Sequence, residues 1–469
     1  MKLAKVTASI FGVSILAILA GCVGYKPPPD VIHSDTYTGN PVQENTNLPA
    51  DSKILTVDEA VQIAVANNPT YEQARLSMIS AYASYYKDLA GYSPTLTATY
   101  GATETQRASG TPGPKSTEYT GNLEANWELF NGFQTTMAVL DGLASAKGAE
   151  YAYQNALRQL VFSVKNQYYS VLNDRANIKI QQANVEYNDV QVKTAQLKYD
   201  AGAGSLTDLL NFEIGKNDAE ATLIGYIAQY YVDRFALAQF MGFTTSDLPM
   251  NIEFPEIDVP EDNQYSLGVD FYLDMAIKQR PDLQAQRETV NAAKYSLYGA
   301  WGAFSPTASV DMNYGYSKTS DVSTSWFGGS MRPEGGQNLN YNYGFNVSWD
   351  IWEGGARIAN VRGAQAAYDS AQEGLLTTWI QVVNDVRTAY TKLLSNMSVR
   401  KIQEQSVAMS TKRRDLLQEE YNAGNVDIST LNQAQSQLIT SQSSYIQAVI
   451  NVAVQRAQLD EAAGMKQIP

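Results

Sequence analysis

The 469-residue chain has a single cysteine and a single histidine. Disulfide frameworks and thiol or imidazole metal clusters need several such residues, so both are excluded, and histidine-based catalysis has almost nothing to work with. Charge is scarce as well. Only 17% of residues are Asp, Glu, Lys or Arg, and the net charge of −14 comes without a cluster of Lys and Arg. Neutralising phosphates needs such clusters, so nucleic acid is not an expected partner. No turn gathers an acid, a base and a nucleophile, which argues against an enzyme, and no residue set calls for a cofactor or metal. Proline is missing from Thr135 to Gly202. An unbroken helix of roughly 67 residues would be about 100 Å long, too long for a compact domain.

What fills that helix is a pair of apolar series at intervals of seven. One is Leu157, Val164, Val171, Ile178, Val185, Val192, Tyr199; the other is Phe162, Tyr169, Ala176, Ala183, Val190, Leu197. A seven-residue period marks coiled-coil packing, and series offset by two positions lie on nearly opposite sides of a helix. The helix therefore needs a neighbour on each flank, with polar faces between. That describes a stave in a wall wetted on both sides.

The start of the chain, Met1-Lys2-Leu3-Ala4-Lys5 followed by apolar residues to Ala20, reads as a signal peptide (residues 1–21). It ends Leu19-Ala20-Gly21-Cys22, similar to a bacterial lipoprotein box, so Cys22 is the expected site of a covalent N-terminal lipid. Acyl chains would hold the protein to the outer membrane without crossing it. The Pro-containing run that follows, to residue 54, reads as a tether, in which His33 is exposed and idle.

The remainder is a duplication. Trp127-Glu128-Leu129-Phe130-Asn131-Gly132 matches Trp349-Asp350-Ile351-Trp352-Glu353-Gly354, and Tyr199-Asp200-Ala201-Gly202 matches Tyr421-Asn422-Ala423-Gly424 at the same offset of 222 (349 against 127). Asn68-Pro69 and Ser93-Pro94 match Arg280-Pro281 and Ser305-Pro306 at an offset of 212 (306 against 94). Repeat 1 spans 55–247 and repeat 2 spans 265–469, joined by an acidic, Pro-containing linker (248–264) expected to wrap the outside. Each repeat is read as an opening helix (Val57 to about Gly91; Phe271 to about Gly302), a β-hairpin (95–130; 307–352), a long helix (135–202; 356–424) and a closing helix (206–242; 428–464). Two short helices end to end match one long one, which gives four staves. In the second long helix Trp379, Val386 and Leu393 continue one seam, but Arg400 and Arg414 interrupt it.

In the hairpins the period becomes two. Leu339, Tyr341, Tyr343, Phe345, Val347, Trp349 and Ile351 alternate with Asn340, Asn342, Gly344, Asn346, Ser348 and Asp350. Strands of about 11 residues with one apolar, aromatic-rich face suit a membrane barrel. The segments Gln106 to Glu118 and Ser317 to Asn338, rich in Gly, Ser, Thr and Pro, read as outward loops. Four strands leave open edges that lipid does not tolerate, so several copies must share one barrel. Three would give twelve strands and twelve staves.

The duplicated plan, the Trp-x-Leu/Ile-aromatic-x-Gly strand ends and the Tyr-x-x-Gly helix turns resemble the TolC-type outer-membrane efflux proteins. The lipidated start is more similar to the branch serving resistance-nodulation-division pumps. The resemblance implies a mainly α fold with a transmembrane β part: a homotrimer whose α-barrel tunnel continues into a twelve-stranded outer-membrane β-barrel. It also implies a tunnel that opens on engaging a periplasmic adaptor (membrane fusion protein) and an inner-membrane transporter, among outer-membrane lipids. Type I protein secretion is an alternative duty, and a periplasmic coiled-coil lipoprotein is an alternative of another class. By the resemblance, the gate and adaptor-contact tips are Asp200, Gly202, Gly204, Asp208, Tyr421, Gly424, Asn425, Asp427 and Thr430. Tyr421 and Asp208 fit the family's gate network. Val426 and Thr430 stand where a basic and an acidic residue would form the family's latch. An alternative constriction is a symmetry-tripled ring from some of Asp200, Asp208, Asn425 and Asp427; helix N-capping by Asp208 or Asp427 competes with it.

Overall fold

The computed structural model describes residues 54–109, 111–249, 251–257, 268–322 and 336–465, with the side chains of 106–116 and 320–322 excepted. Cys22, the signal peptide, the tether with His33 and the end of the linker lie outside the described residues. The elements are α1 (Val57–Asn67), α2 (Pro69–Leu89), β1 (Thr95–Ser109), β2 (Thr111–Phe130), α3 (Gln134–Asp200), α4 (Leu206–Phe240), α5 (Val269–Gln279), α6 (Pro281–Gly302), β3 (Thr307–Val322), β4 (Gln337–Ser348), α7 (Ala356–Asn422) and α8 (Ile428–Ala462). Both long helices have 67 residues. No described helix is long and apolar enough to cross a membrane.

Each opening helix, expected as one piece, is two. Asn68 and Arg280 hold extended backbone (ψ 119° and 120°), and the proline after each becomes the first residue of a new helix. Proline removes a helical N–H and pushes its predecessor out of the α region, so a helix ends there and restarts. Only the second pieces serve as staves. The amide of Asn68 donates from Nδ2 to the Phe240 carbonyl at 2.8 Å, which seats α2 against the end of α4. Arg280 does the same for α6 and α8, donating from Nη1 to the Ala462 carbonyl at 3.4 Å. The two junctions are repeat equivalents, one neutral and one ionic.

The first pieces build a belt on one side of the wall. Thr56 caps α1 in a reciprocal box with Glu59. The apolar face of α1, with Leu248, Ile252 and Phe254 of the linker, covers Val161, Val164, Tyr168 and Val171 of α3. The linker is tied down by Leu55 N–H to the Glu253 carbonyl at 2.8 Å and by Lys179 to Glu256 at 2.6 Å. In repeat 2, α5 places Tyr272 and Ala276 over Val382, Val386, Ala389 and Leu393 of α7.

α2 and α4 flank α3 on one side, while α6 and α8 fill the space between α3 and α7. The order is four staves with two uncovered flanks. On α7, Ile402, Met409 and Leu416 lie exposed at spacings of seven; on α4, Leu210 and Ile224 lie exposed two heptads apart. The seam of α7 continues through its arginines, because Arg400 is buried in register with Val386 and Leu393, and the Arg414 guanidinium lies 5.5 Å from the Tyr187 ring centre. The aliphatic stem of Arg fills an apolar seam while its head finds polar partners.

α3 departs from the expected seams in its lower half. Val190 and Leu197 are exposed, and the buried line runs Asp174, Asn177, Gln181, Asn188, Gln191, Ala195. Amides along this line bond one another: Asn184 Nδ2 donates to Gln181 Oε1, and Gln435 Nε2 of α8 donates to Asn184 Oδ1 at 2.9 Å. Apolar spacing alone does not reveal a seam that is satisfied by hydrogen bonds.

Asp174 faces Asp233 of α4. Burial first, then the facing carboxyl, push Asp174 up to about 7. Its folded-state pKa is therefore above the unfolded value, so the folded chain binds the extra proton and stability falls as pH rises from about 4 to about 7. Buried Asp460, raised to about 6 by burial against the pull of Lys165 and Arg456, adds to the same slope. Melting temperatures of detergent-solubilised protein are expected to drop between pH 5 and pH 8. Asp174→Asn should remove most of that drop; an unchanged slope would count against the carboxyl pair.

The sheet has the order β1-β2-β3-β4, all antiparallel. The register aligns Ala98, Leu123, Tyr314 and Tyr341 across the sheet, and beside them Leu96, Ala125, Met312 and Tyr343. That face is thus apolar and largely exposed along these rows, with Glu104 and Lys318 entering it only toward the hairpin tips. The other carries Thr97, Glu124, Asn313 and Asn342, and on it Asp311 accepts from the amides of Asn126 and Asn346. The ladder overrides two expectations. Gln106 to Glu118 is strand almost throughout, because the β1–β2 ladder carries on past the expected strand ends and pairs as far as Ser109 with Thr111. Likewise β3 runs on to Val322, and β4 begins at Gln337. β4 stops at Ser348 instead of residue 352, because its partner begins at Thr307, just after Pro306. Trp127 and Trp349 then explain the repeated motif: their indole N–H groups donate to the carbonyls of Tyr92 (2.9 Å) and Phe304 (3.1 Å), locking strand ends to stave ends.

Candidate functional site at the two helix turns

The turn after α3 closes in two steps. Gly202 has φ +71°, a conformation that side chains with a Cβ resist, and its N–H meets the Tyr199 carbonyl while Ala203 N–H meets the Lys198 carbonyl. The turn after α7 repeats it: Gly424 has φ +79°, with Gly424 N–H to Tyr421 and Asn425 N–H to Glu420. Gly204 has its own reason to be small, since a Cβ there would lie 2.9 Å from that of Lys198.

The starts of the next helices differ. Asp427 is the N-cap of α8, its Oδ1 accepting from Thr430 N–H at 2.8 Å and from the Ser429 hydroxyl at 2.9 Å. The Thr430 N–H bond above all holds its carboxyl below the usual range. In α4 the cap is Ser205, whose hydroxyl oxygen accepts from Thr207 N–H; Asp208 sits in the first turn instead. Asp200 takes Gln196 Nε2 at 2.8 Å on its own helix.

Tyr421 and Asp208 are brought together. Burial and then the Asp208 charge raise the Tyr421 hydroxyl's pKa. The Tyr421 ring meets Phe212 edge-on at 6.0 Å, and Lys198 Nζ lies 5.2 Å from its centre. Around it, Ala195, Leu209, Phe212, Ile428 and Leu431 form one small core shared by both turns. Above, Gln418 Oε1 accepts from Tyr187 and Gln191 of α3 at 2.8 and 3.0 Å. Phe212, Lys198, Gln418 and Tyr187 were missed by the sequence reading. Of these only Gln418 carries a sequence signal, lying three residues before Tyr421 at the end of the α7 seam.

A family model described as "Outer membrane efflux protein" matches residues 60–243 and 272–465, most of both repeats. The chain belongs to that family. This efflux protein is 22% identical over 346 residues to the outer membrane efflux protein BepC of Brucella suis biovar 1 (strain 1330), covering 73% of this chain and 71% of the relative. Its fold is similar to that of the outer-membrane channel OprN (TM-score 0.75, 18% identity, 88% of this chain and 91% of the other). It is also similar to the open state of the Neisseria gonorrhoeae MtrE outer membrane channel (TM-score 0.74, 16% identity, 94% and 97%). The efflux protein is a transport protein of the outer membrane, not an enzyme, and works as an oligomeric part of a tripartite efflux system. Its fold class is that of trimeric channels in which an α-barrel continues into a twelve-stranded β-barrel.

Proposed function

We propose that the two helix turns form the closed periplasmic end of the channel, opened when a periplasmic adaptor and an inner-membrane transporter engage it to export small molecules. The observation that carries this reading is the shared core at Tyr421, which ties the two turns of one chain together where all staves end. Exposed Val190 and Leu197, on the belt side of α3 just above the turn, offer an adaptor an apolar foothold. Cys22 would add a lipid anchor in the outer membrane. The periplasmic coiled-coil alternative leaves the apolar-faced sheet without a purpose, so the channel reading is preferred; small-molecule export is preferred to protein secretion on the lipidated start.

Tyr421→Ala removes the ring that both turns share. Its expected result in planar bilayers is a larger and more frequently open conductance than wild type, with the trimer intact by native mass spectrometry; an unchanged closed level would overturn the gate assignment. The acidic ring has its own test. Asp427→Asn keeps the capping oxygen but removes the charge, and is expected to lower cation selectivity without altering helicity. Unaltered selectivity would leave Asp427 as a cap alone.

A further inference from the structure

We infer that the seam between neighbouring chains of the trimer is clamped by charge: Lys412 and Arg413 of α7 grip the carboxylates that α4 of the partner subunit carries at Glu213 and Glu220. The clamp rests on the trimeric fold class; only its effect on opening rests on the gate proposed above. On the uncovered flank of α7 lies a groove of about 440 Å³, lined by Met409, Lys412, Arg413, Leu416 and Glu420, with Thr430 of α8. Met409 and Leu416 give it an apolar floor, and Lys412 and Arg413 stand exposed between them. Neither cation has an ion partner among the described residues, whereas the next residue, Arg414, holds Asp415 at 2.8 Å. The carboxylate of the lining, Glu420, is a heptad from Arg413, about 10 Å along the helix. An apolar floor beside unpaired cations calls for a cover that is apolar with carboxylates at its rim.

Closure of the sheet decides what that cover is. β4 leads into α7, and β1 follows α2, which is stacked end to end on α4. When β4 pairs with β1 of the partner subunit, α7 comes to lie along the stave that α2 and α4 of the partner subunit build. The exposed face of α4 has the complementary pattern. Leu210, Asn217 and Ile224 form a stripe at spacings of seven, and Glu213 and Glu220 stand exposed between them. Glu213 has no ion partner among the described residues, and Glu220 has only Lys216, at 4.0 Å, which Asp189 already holds at 2.6 Å.

The stripe on α7, Ile402, Met409 and Leu416, has the same spacing, so the two antiparallel helices interlock in steps of one heptad. Heights select two of those steps. Were the two turns level, Arg413 would face Glu213, which lies 11 residues beyond Gly202 as Arg413 lies 11 before Gly424 (213 − 202 and 424 − 413). Within the chain, Phe212, 10 beyond Gly202, meets Tyr421, 3 before Gly424, which sets the second turn about one heptad higher (212 − 202 and 424 − 421). Rotation about the channel axis keeps every residue at its height, so this offset brings Glu220 opposite Arg413 and Ile224 opposite Met409. In either step the cations of the groove meet a carboxylate that its own chain leaves without a close partner. Three such clamps encircle the duct about 16 Å above the turn that ends α7, where they hold α7 against α4 of the partner subunit and resist widening.

The test is disulfide formation in the full-length protein in isolated outer membranes, read on a non-reducing gel. Lys412→Cys combined with Glu220→Cys, or with Glu213→Cys, is expected to give a ladder of two and three linked chains from one of the two pairs. Lys412→Cys with Ile227→Cys, a further heptad along α4, should give none, and neither should any single substitution. A ladder from neither carboxylate position, or equal ladders from all three pairs, overturns the clamp. So does protection of Lys412→Cys from a maleimide only after a periplasmic adaptor is added, which would assign the groove to the adaptor. Charge is tested by reversal. Lys412→Glu with Arg413→Glu should lower the temperature at which the trimer dissociates in detergent, and adding Glu220→Lys or Glu213→Lys, whichever position crosslinks, should restore it; a swap that restores nothing overturns the ion pair. Planar-bilayer conductance judges the gate separately: the reversed chain is expected to open about fivefold more often. A ladder with unchanged openings sinks the gate and keeps the clamp.

Discussion

Arg280→Ala is expected to destabilise the protein by about 3–5 kcal/mol, the range for breaking a buried ion pair from one side. The guanidinium is 4% exposed and bonds Asp282 at 2.6 Å and Asp385 at 3.0 Å. Burial alone would lower its pKa, but the two carboxylates outweigh burial and raise it. Their hold is mutual: Asp282 would be raised by burial, yet Arg280 draws it below its usual value. Removing the cation leaves both carboxylates facing the junction. Arg158, 3.8 Å from Asp282 and already committed to Glu461 at 2.6 Å, is placed to relieve only part of that. The repeat supplies the control. Asn68→Ala breaks the equivalent junction and removes the α2 cap, but strands only neutral groups, the Phe240 carbonyl and the Tyr71 N–H, an effect of about 2 kcal/mol. Thermal unfolding in detergent should separate the two variants clearly; comparable losses would mean that the charge network contributes no more than the amide.

The second large effect belongs to the sheet. Tyr343→Arg puts a cation in the middle of the apolar face, where Tyr343 is 80% exposed. At the bilayer midplane such a change costs about 2–4 kcal/mol per chain, and a trimer carries it three times. Asn342→Arg, one residue away on the opposite face, should be tolerated because that face meets water. The measurement is the amount of folded trimer in the outer-membrane fraction. Equal loss for both variants would show that the two faces are not chemically distinct.

How far the chain could be read before its structure depended on what kind of signal each part gave. The duplication, the 67-residue helices and the alternating strands were legible because they rest on spacing repeated over long stretches. The break at Asn68-Pro69 was visible as a motif but not as a boundary, since the helical pattern resumes on its far side. The strand limits were set by partners: Ser348 ends β4 only because β3 offers nothing beyond Thr307. Within the site, Gly202 and Gly424 declared themselves by turn chemistry, and Asp427 fits its cap. Phe212 meeting Tyr421 could not be read, because they come from different repeats and touch only once the two hairpins lie side by side.

The uncovered strands at both ends of the sheet have a genetic corollary. Since β1 and β4 each need a stranger's backbone, one faulty chain spoils every ring that admits it. With sound and edge-defective alleles expressed equally and mixing at random, roughly one ring in eight would contain sound chains only. Such alleles should therefore behave as dominant, whereas alleles that merely fail to be made should be recessive.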